Sequence, residues 1–491
     1  MASRRLPPLP QYQKDGVTRR LCASAHLDED FARHVHREFT ADRMTAVGLP
    51  LGVNLLALVR HATAAVRRFD TRDRRLARLS AGALGAVVVA LYGLAGGSST
   101  VVGAGCAGLL AALGTAWWLV HAEESAARDA AFAVFRSGTK PEELATPVSG
   151  EVEDRLRELR RANVVPYTAA AERTNPFVGS GTKIKESVWQ PIDISRPAAD
   201  PAGGKLTITP FDAVDLHTYI AREMENIAGL EGLRAQNRLY VLGTHVRLIG
   251  GDLLPDPLGR PRARISPKLV QSGLVQPGAG ARTYLSLERI GEGGRIIVSM
   301  HLRARLQHPS LSWEVAAYAI PPVGGRHYRV DTLPIDGFER WWSLVRYASG
   351  RFWPALRGAA GRGRRRTAEQ NRRRRELEKW RKDIGKRHAV YDHGAVSSLR
   401  EWVSSWDGVG HSERTDSQDF LHRLQQGVLI ATEKFLKDHH VDTGSFDQAQ
   451  QVINAQTYNF SGDVTGPSNF GNNGQIAYGP GQQPAGAPAG P

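Results

Sequence analysis

The chain has 491 residues, 41% of them hydrophobic, and its 64 Lys and Arg against 49 Asp and Glu give a formal net charge of +15. That length suits about two to four domains, and a mean hydropathy of −0.33 confines any membrane portion to a small fraction of the chain. Two cysteines exclude a disulfide scaffold, while the cationic excess favours lipid headgroups, nucleic acid or acidic protein surfaces as partners.

The opening MASRRLPPLPQYQKDG has no apolar stretch, so no cleavable signal peptide is expected. Residues 1–75 are predicted as a helical cytoplasmic region, because LDEDFARHVHREF and LLALVRHATAAVRRF each place apolar residues on one face. VGLPLGVNLLALV is apolar over only 13 residues, is interrupted by Pro50 and Asn54, and runs into Arg60. It is expected to be a buried or interfacial helix and not a third span.

Leu79 to Val120 is a run of 42 uncharged residues, enough for two bilayer crossings of about 20 residues each. Gly96-Gly97-Ser98-Ser99-Thr100 divides it, so residues 76–121 are predicted as a transmembrane hairpin with spans at about 79–95 and 101–120. Ala104, Gly108 and Ala112 recur at four-residue spacing, which lets helices approach closely and offers a surface for homo-oligomers. Trp117 and Trp118 fall where aromatic rings anchor at headgroup depth. Seven arginines between Arg60 and Arg78 stand against Asp70 and Asp73, whereas the turn is uncharged. The positive-inside bias then puts both termini in the cytoplasm. So short an uncharged turn argues against an extracellular receptor.

Residues 122–173 are predicted as juxtamembrane helices (SAARDAAFAVFR, EVEDRLRELRRA), and the Pro- and Gly-rich 174–205 as a linker. Residues 206–335 are expected to form an α+β domain: a strand at LTIT, a helix at FDAVDLHTYIAREMENIA, and a strand in RLYVLGTHVRLIG. RTYLSLERI and RIIVSMHLRARL flank Gly291-Glu292-Gly293-Gly294 as a β-hairpin, and LSWEVAAYAI extends it. The basic, helical region 336–441 holds helices near 364–388 and 394–437, the second with an apolar stripe of Phe420, Leu424, Val428, Ala431 and Phe435. Residues 442–491 are predicted on composition as a disordered Gly-, Asn- and Pro-rich tail. The expected architecture is thus a multi-domain membrane protein: an α-helical N-terminal region with a two-helix hairpin, then a cytoplasmic α+β domain and C-terminal helices.

Two features point to interaction. Arg351 to Arg387 holds 15 Lys and Arg against four acids, with Arg362, Arg364, Arg365, Arg366, Arg372, Arg373, Arg374 and Arg375 as the candidate anion-binding set. Trp341, Trp342 and Trp353 precede or open the run, a combination suited to an anionic bilayer surface. Nucleic acid is the weaker alternative, and a solvated helix whose aromatics belong to the core is the plain one. In the tail, Asn459-Phe460-Ser461-Gly462 recurs as Asn469-Phe470-Gly471, followed by Gln475 and Ile476. These residues suit in-register stacking, although Asp463 and Pro467 oppose a continuous zipper.

Catalytic and cofactor signatures are weak. Cys22 and His26, with His34 and His36 downstream, lack a second cysteine pair for zinc, and no lysine follows Gly291-Glu292-Gly293-Gly294 as a phosphate loop needs. His217, Glu223, His245 and His301 would be the groups of a dispersed active site, should the fold bring them together.

RRLCASAHLDEDFARHV, VNLLALVRH, RTYLSLERI, IIVSMHLR and YDHGAVSSLRE resemble segments of uncharacterised two-helix membrane proteins of high-GC actinobacteria. The likeness implies a bacterial inner membrane and the same topology, with no activity attached. The tail is loosely similar to bacterial amyloid-signalling, RHIM-like motifs. No cofactor is expected; the expected function is that of a membrane-anchored interaction, scaffold or signalling protein, with an enzyme of dispersed site or a nucleic-acid binder as alternatives.

Overall fold

A computed structural model describes residues 13 and 15–457, apart from 173, 174, 202 and 279. The chain begins with α1 (Gly16–Leu27) and α2 (Glu29–His36), the latter started by Asp28, whose carboxylate accepts from the Phe31 N–H at 3.0 Å. Residues 47–54, expected as helix, are irregular: Gly52 takes φ 70°, and Leu49 and Leu51 are buried against the sheet domain. Helix starts only after Asn54, whose side chain accepts from the Ala57 N–H.

There α3 (Leu55–Ala95) begins, and α4 (Ser99–Arg136) returns antiparallel to it. Their 41 and 38 residues make helices of about 60 Å, twice the hydrocarbon thickness of a bilayer. The lower halves, with Leu58, Val59, Ala62, Phe69, Ala127 and Ala131, are core to the helical body. The upper halves are bare: only 11% of each helix's most apolar window is buried. A soluble core helix would bury most of such a window. The turn falls on Gly96–Ser98 as expected, with Gly97 at φ 71°. Close approach depends on Gly93 and Gly105, where a Cβ would lie 2.7 Å from the Val102 nitrogen and 2.6 Å from the Ala90 nitrogen. Of the four-residue ladder, Gly108 meets Ala86 at an ordinary 3.5 Å.

Next come α5 (Gly150–Leu159), β1 (Val164–Tyr167), the one-turn α6 (Ala169–Glu172), β2 (Thr182–Val188) and β3 (Ile192–Asp193). Two expectations are corrected here. Residues 122–173 are not all helical, because β1 pairs in parallel with a central strand, and 174–205 is no linker, because β2 and β3 both pair in the sheet. The remainder of the domain is α7 (Ala213–Glu225), β4 (Arg234–Leu242), α8 (Val246–Ile249), α9 (Pro267–Val275), β5 (Ala281–Ile290), β6 (Ile297–Gln307) and β7 (Ser310–Ile320). LTIT forms no strand. The predicted hairpin is β5–β6, with Leu285 opposite Leu302, and the sheet order is β1-β4-β5-β6-β7-β2 with β3 also on β7.

The turn α10 (Arg329–Thr332) leads into α11 (Gly337–Arg387), a single helix of 51 residues that starts well before the expected 364. It is followed by α12 (Leu399–Trp402), α13 (His411–Asp438) and α14 (Gly444–Thr457). Leu424, Val428, Ala431 and Phe435 of α13 and Leu216 and Ile220 of α7 cover one sheet face, with Phe420 partly buried beside them. The tail expectation fails over its first part: Phe446 and Ala449 of α14 are buried in that same core. The architecture is therefore a helical N-terminal region with two long apolar helices, followed by an α+β domain on a mixed sheet.

Candidate membrane-surface site

The course of α11 defines the site. Its first contacts climb α4: Arg340 pairs with Asp129 at 2.5 Å, Ser343 accepts from Arg128 at 2.6 Å, and Ser349 accepts from the Trp117 indole at 3.2 Å. The next contacts descend α3, where the Ser80 hydroxyl donates to the Leu356 carbonyl at 3.1 Å and Arg362 donates to Asp73 at 3.0 and 2.8 Å. One helix meets both antiparallel neighbours in this way by crossing over the pair at the level of residues 76–80 and 116–120. Leu76, Ala116, Leu119, Ala348, Phe352, Leu356 and Ala359 seal the crossing with apolar contact. Pro354, which forgoes one intrahelical hydrogen bond, lies at the changeover.

Beneath the crossing lies a charged knot. Asp73 is almost fully buried and takes Arg72, Arg362 and Arg366 together. Burial pushes its carboxyl up, but the Arg362 hydrogen bonds and the Arg72 charge outweigh this and hold it at about 2. Arg366 also reaches Asp70 at 2.8 Å, and Arg72 reaches Glu29 at 2.7 Å. Glu123, buried beside Arg68 at 3.0 Å, has its carboxyl raised because burial outweighs the pairing.

These contacts sort the candidate arginines. Arg362 and Arg366 are structural partners of Asp73; Arg372, Arg373 and Arg374 pair along their own helix with Glu376, Glu369 and Glu378. Arg364, Arg365 and Arg375 are exposed with no ion-pair partner among the described residues. Trp118, Trp341, Trp342 and Trp353 expose 61, 52, 52 and 47% of their surface, whereas Trp117 is tied to Ser349 and stacks on His121. Phe338, 73% exposed, joins the aromatic band and was not singled out by sequence. Asn469, Phe470, Gly471, Gln475 and Ile476 lie outside the described residues.

The enzyme candidates do not converge. His217 projects from α7 onto the sheet, its Nδ1–H donating to Asn237 at 2.9 Å and its Nε2 accepting from the Ala304 N–H at 3.1 Å. His301 lies on the opposite sheet face, stacked on Phe177 at 4.3 Å and within 2.8 Å of the Ser180 hydroxyl. Glu223 pairs with Lys434. His245 stands close to Gly280, just beyond β4, where a Cβ on that glycine would meet its ring. In the N-terminal body, His61 bonds the Pro141 carbonyl and accepts from His26, which in turn accepts from Arg68, so both imidazoles are spoken for. Among the described residues no three His, Cys, Asp or Glu side chains form a metal-holding group.

Residues 188–473 match a family model described as the AbeC-like domain, more than half of the chain. The chain belongs to the AbeC-like domain family. No curated protein and no solved structure matches it. The AbeC-like segment starts at the last residue of β2, so it contains α11 but neither β1 nor the two apolar helices that α11 crosses.

Proposed function

We propose that this AbeC-like protein is a bilayer-anchored interaction protein, its hairpin spanning a bacterial inner membrane and its body held against the cytoplasmic face. The observation that carries this is the crossing of α11. It divides each long helix into a bare apolar half and a half packed in the body, with the exposed Trp118 and Trp353 beside the sealing residues Leu119 and Phe352. Above the crossing, α3 runs from Leu79 to Ala95, about 25 Å against a hydrocarbon core of about 30 Å. Trp118 and Trp353 then lie at headgroup depth, with Trp341 and Trp342 farther out on the rising part of α11 and Arg74, Arg75 and Arg78 on the inner flank. In this setting α11 acts as an interfacial brace, and its unpaired arginines engage anionic headgroups.

The test is labelling of single cysteines in intact cells, on a background with Cys106 and Cys22 replaced by serine. Ser98→Cys at the turn should react with an impermeant maleimide from outside, and Ser137→Cys only after lysis. Reaction of both from outside, or extraction of the protein by alkaline carbonate, would reject the topology. Binding of duplex DNA with the steep salt dependence of phosphate contacts, and no preference for anionic over neutral vesicles, would favour the nucleic-acid alternative.

A further inference from the structure

We infer that the cleft between α3 and α11 is the headgroup site of one anionic phospholipid, an inference that rests on the bilayer placement proposed above. The cleft is an open groove of about 580 Å³, and Arg74, Ala77, Ala359, Gly363 and Arg364 form its working walls. Asp73 and Arg366 at its rear belong to the charged knot, where Asp73 also takes Arg72 and Arg362 and Arg366 also reaches Asp70. Among the described residues Arg74 bonds within its own helix, to the Asp70 carbonyl and the Thr71 hydroxyl at 3.3 Å each, and Arg364 has no ion-pair partner. Two guanidiniums thus line one cavity without a carboxylate of their own, and a guanidinium presents paired donors that match phosphate oxygens.

The floor decides between a lipid and a free phosphate. Ala77, Ala359, Ala360 and Gly363 offer methyl groups or less, so a glycerol backbone can lie close to both helices. Ala77 also begins a stripe on α3 that continues at helical spacing through Ala81, Leu84, Val88 and Leu91. The last three expose 68, 64 and 58% of their surface. A phosphate held between Arg74 and Arg364 leaves its acyl chains on that stripe, inside the bilayer. A free phosphate has no use for it.

Full-length protein in mild detergent, mixed with equal phosphatidylglycerol and phosphatidylcholine, is read by native mass spectrometry. The expected result is one preferentially retained phosphatidylglycerol. R74Q/R364Q should reduce that preference on the order of tenfold, R74K/R364K should keep most of it, and R372Q/R374Q, two exposed arginines paired along α11 with Glu376 and Glu378, should leave it unchanged. An unaltered preference in R74Q/R364Q, equal uptake of phosphatidylcholine, or displacement of the lipid by inorganic phosphate alone would overturn the site. Matching circular dichroism and melting temperature exclude misfolding as the cause of a loss. Recovery in the membrane pellet separates the two readings: protein that sediments without selecting lipid sinks the site alone, and protein that never sediments sinks both.

Discussion

Asp73 accepts from guanidiniums that arrive from 289 and 293 residues away, and its removal would leave three arginines competing for Asp70, Glu29 and Glu123. Breaking a fully buried pair costs about 3–5 kcal/mol, but Arg362 and Arg366 are partly exposed and water can take up their donors. Asp73→Ala should therefore destabilise by about 2 kcal/mol and free α11 to proteases near Arg362; an unchanged melt and digest would contradict the knot. The buried imidazoles set the pH response. Burial lowers His217 and His327 to about 4, the first despite its Asn237 hydrogen bond, the second with help from the Arg326 charge, and His26 and His61 are lowered as well. Because the unfolded chain protonates first, near 6.5, stability is full above that value and falls as pH drops from about 6.5 toward 4. The loss is about 3 kcal/mol for His217 alone. Melts between pH 7.5 and 4.5 should show this slope, and His217→Gln should flatten it. From sequence, Arg362 and Arg366 stand out as members of a cationic run, yet nothing local distinguishes them from Arg364 and Arg365. Pairing at such separations is written only in the fold, although two acids inside a run of arginines were a signal that such a pairing existed.

The elements legible in advance are those with a clean period and their own punctuation. β5, β6 and β7 alternate and are joined by glycine or proline turns; α7 and α13 carry unbroken apolar stripes, and the break at Gly96-Gly97 is visible by composition. β2 is hidden because it is a charged edge strand, Thr-Lys-Ile-Lys-Glu-Ser-Val, whose pairing to β7 supplies what its side chains do not. β1 is only four residues and needs β4 beside it to exist. α14 is masked by the Gln- and Asn-rich composition around Phe446. The four-residue ladder includes one residue that packs on α3, Gly108 against Ala86, but the tightest approach falls on Gly105, next to Ala104. Gly105→Leu should force the two helices apart and cost about 1–3 kcal/mol in a detergent melt. Gly103→Leu, where a Cβ meets nothing within 4 Å, should leave the melt unchanged. Equal effects would mean that this helix pair is not the native one.

On the scale of the whole molecule, the bare and packed halves of α3 and α4 are separable by design. Excising residues 83–111 and closing the gap with a short Gly/Ser linker removes the exposed apolar surface and keeps Leu76, Ala116, Leu119 and the knot beneath them. The shortened protein should be recovered in the soluble fraction with native circular dichroism, and its remaining exposed tryptophans should still give weak binding to anionic vesicles. Removal of all of residues 55–136 should instead abolish folding, since Leu58, Ala62, Ala127 and Ala131 belong to the main helical core. Aggregation of the shorter deletion, or a folded product of the longer one, would show that the division at α11 is misplaced. A domain plan drawn from sequence separates hairpin, linker and sheet because composition changes there. The fold joins them because each lacks a complete core alone.

The place of α11 in the chain has a further meaning for how the protein is made. Residues 79–120 leave the ribosome long before residue 337 is synthesised, so on the proposed bilayer placement the two apolar helices would enter the lipid with nothing yet laid across their base. Until then Asp73 has only Arg72 and Glu124 only Arg128; Arg362 and Arg366 reach the first, and Arg329 the second, afterwards. Insertion therefore comes first and the clasp last. A ribosome stalled before residue 337 should hold a nascent chain that is already embedded but still open at the inner surface.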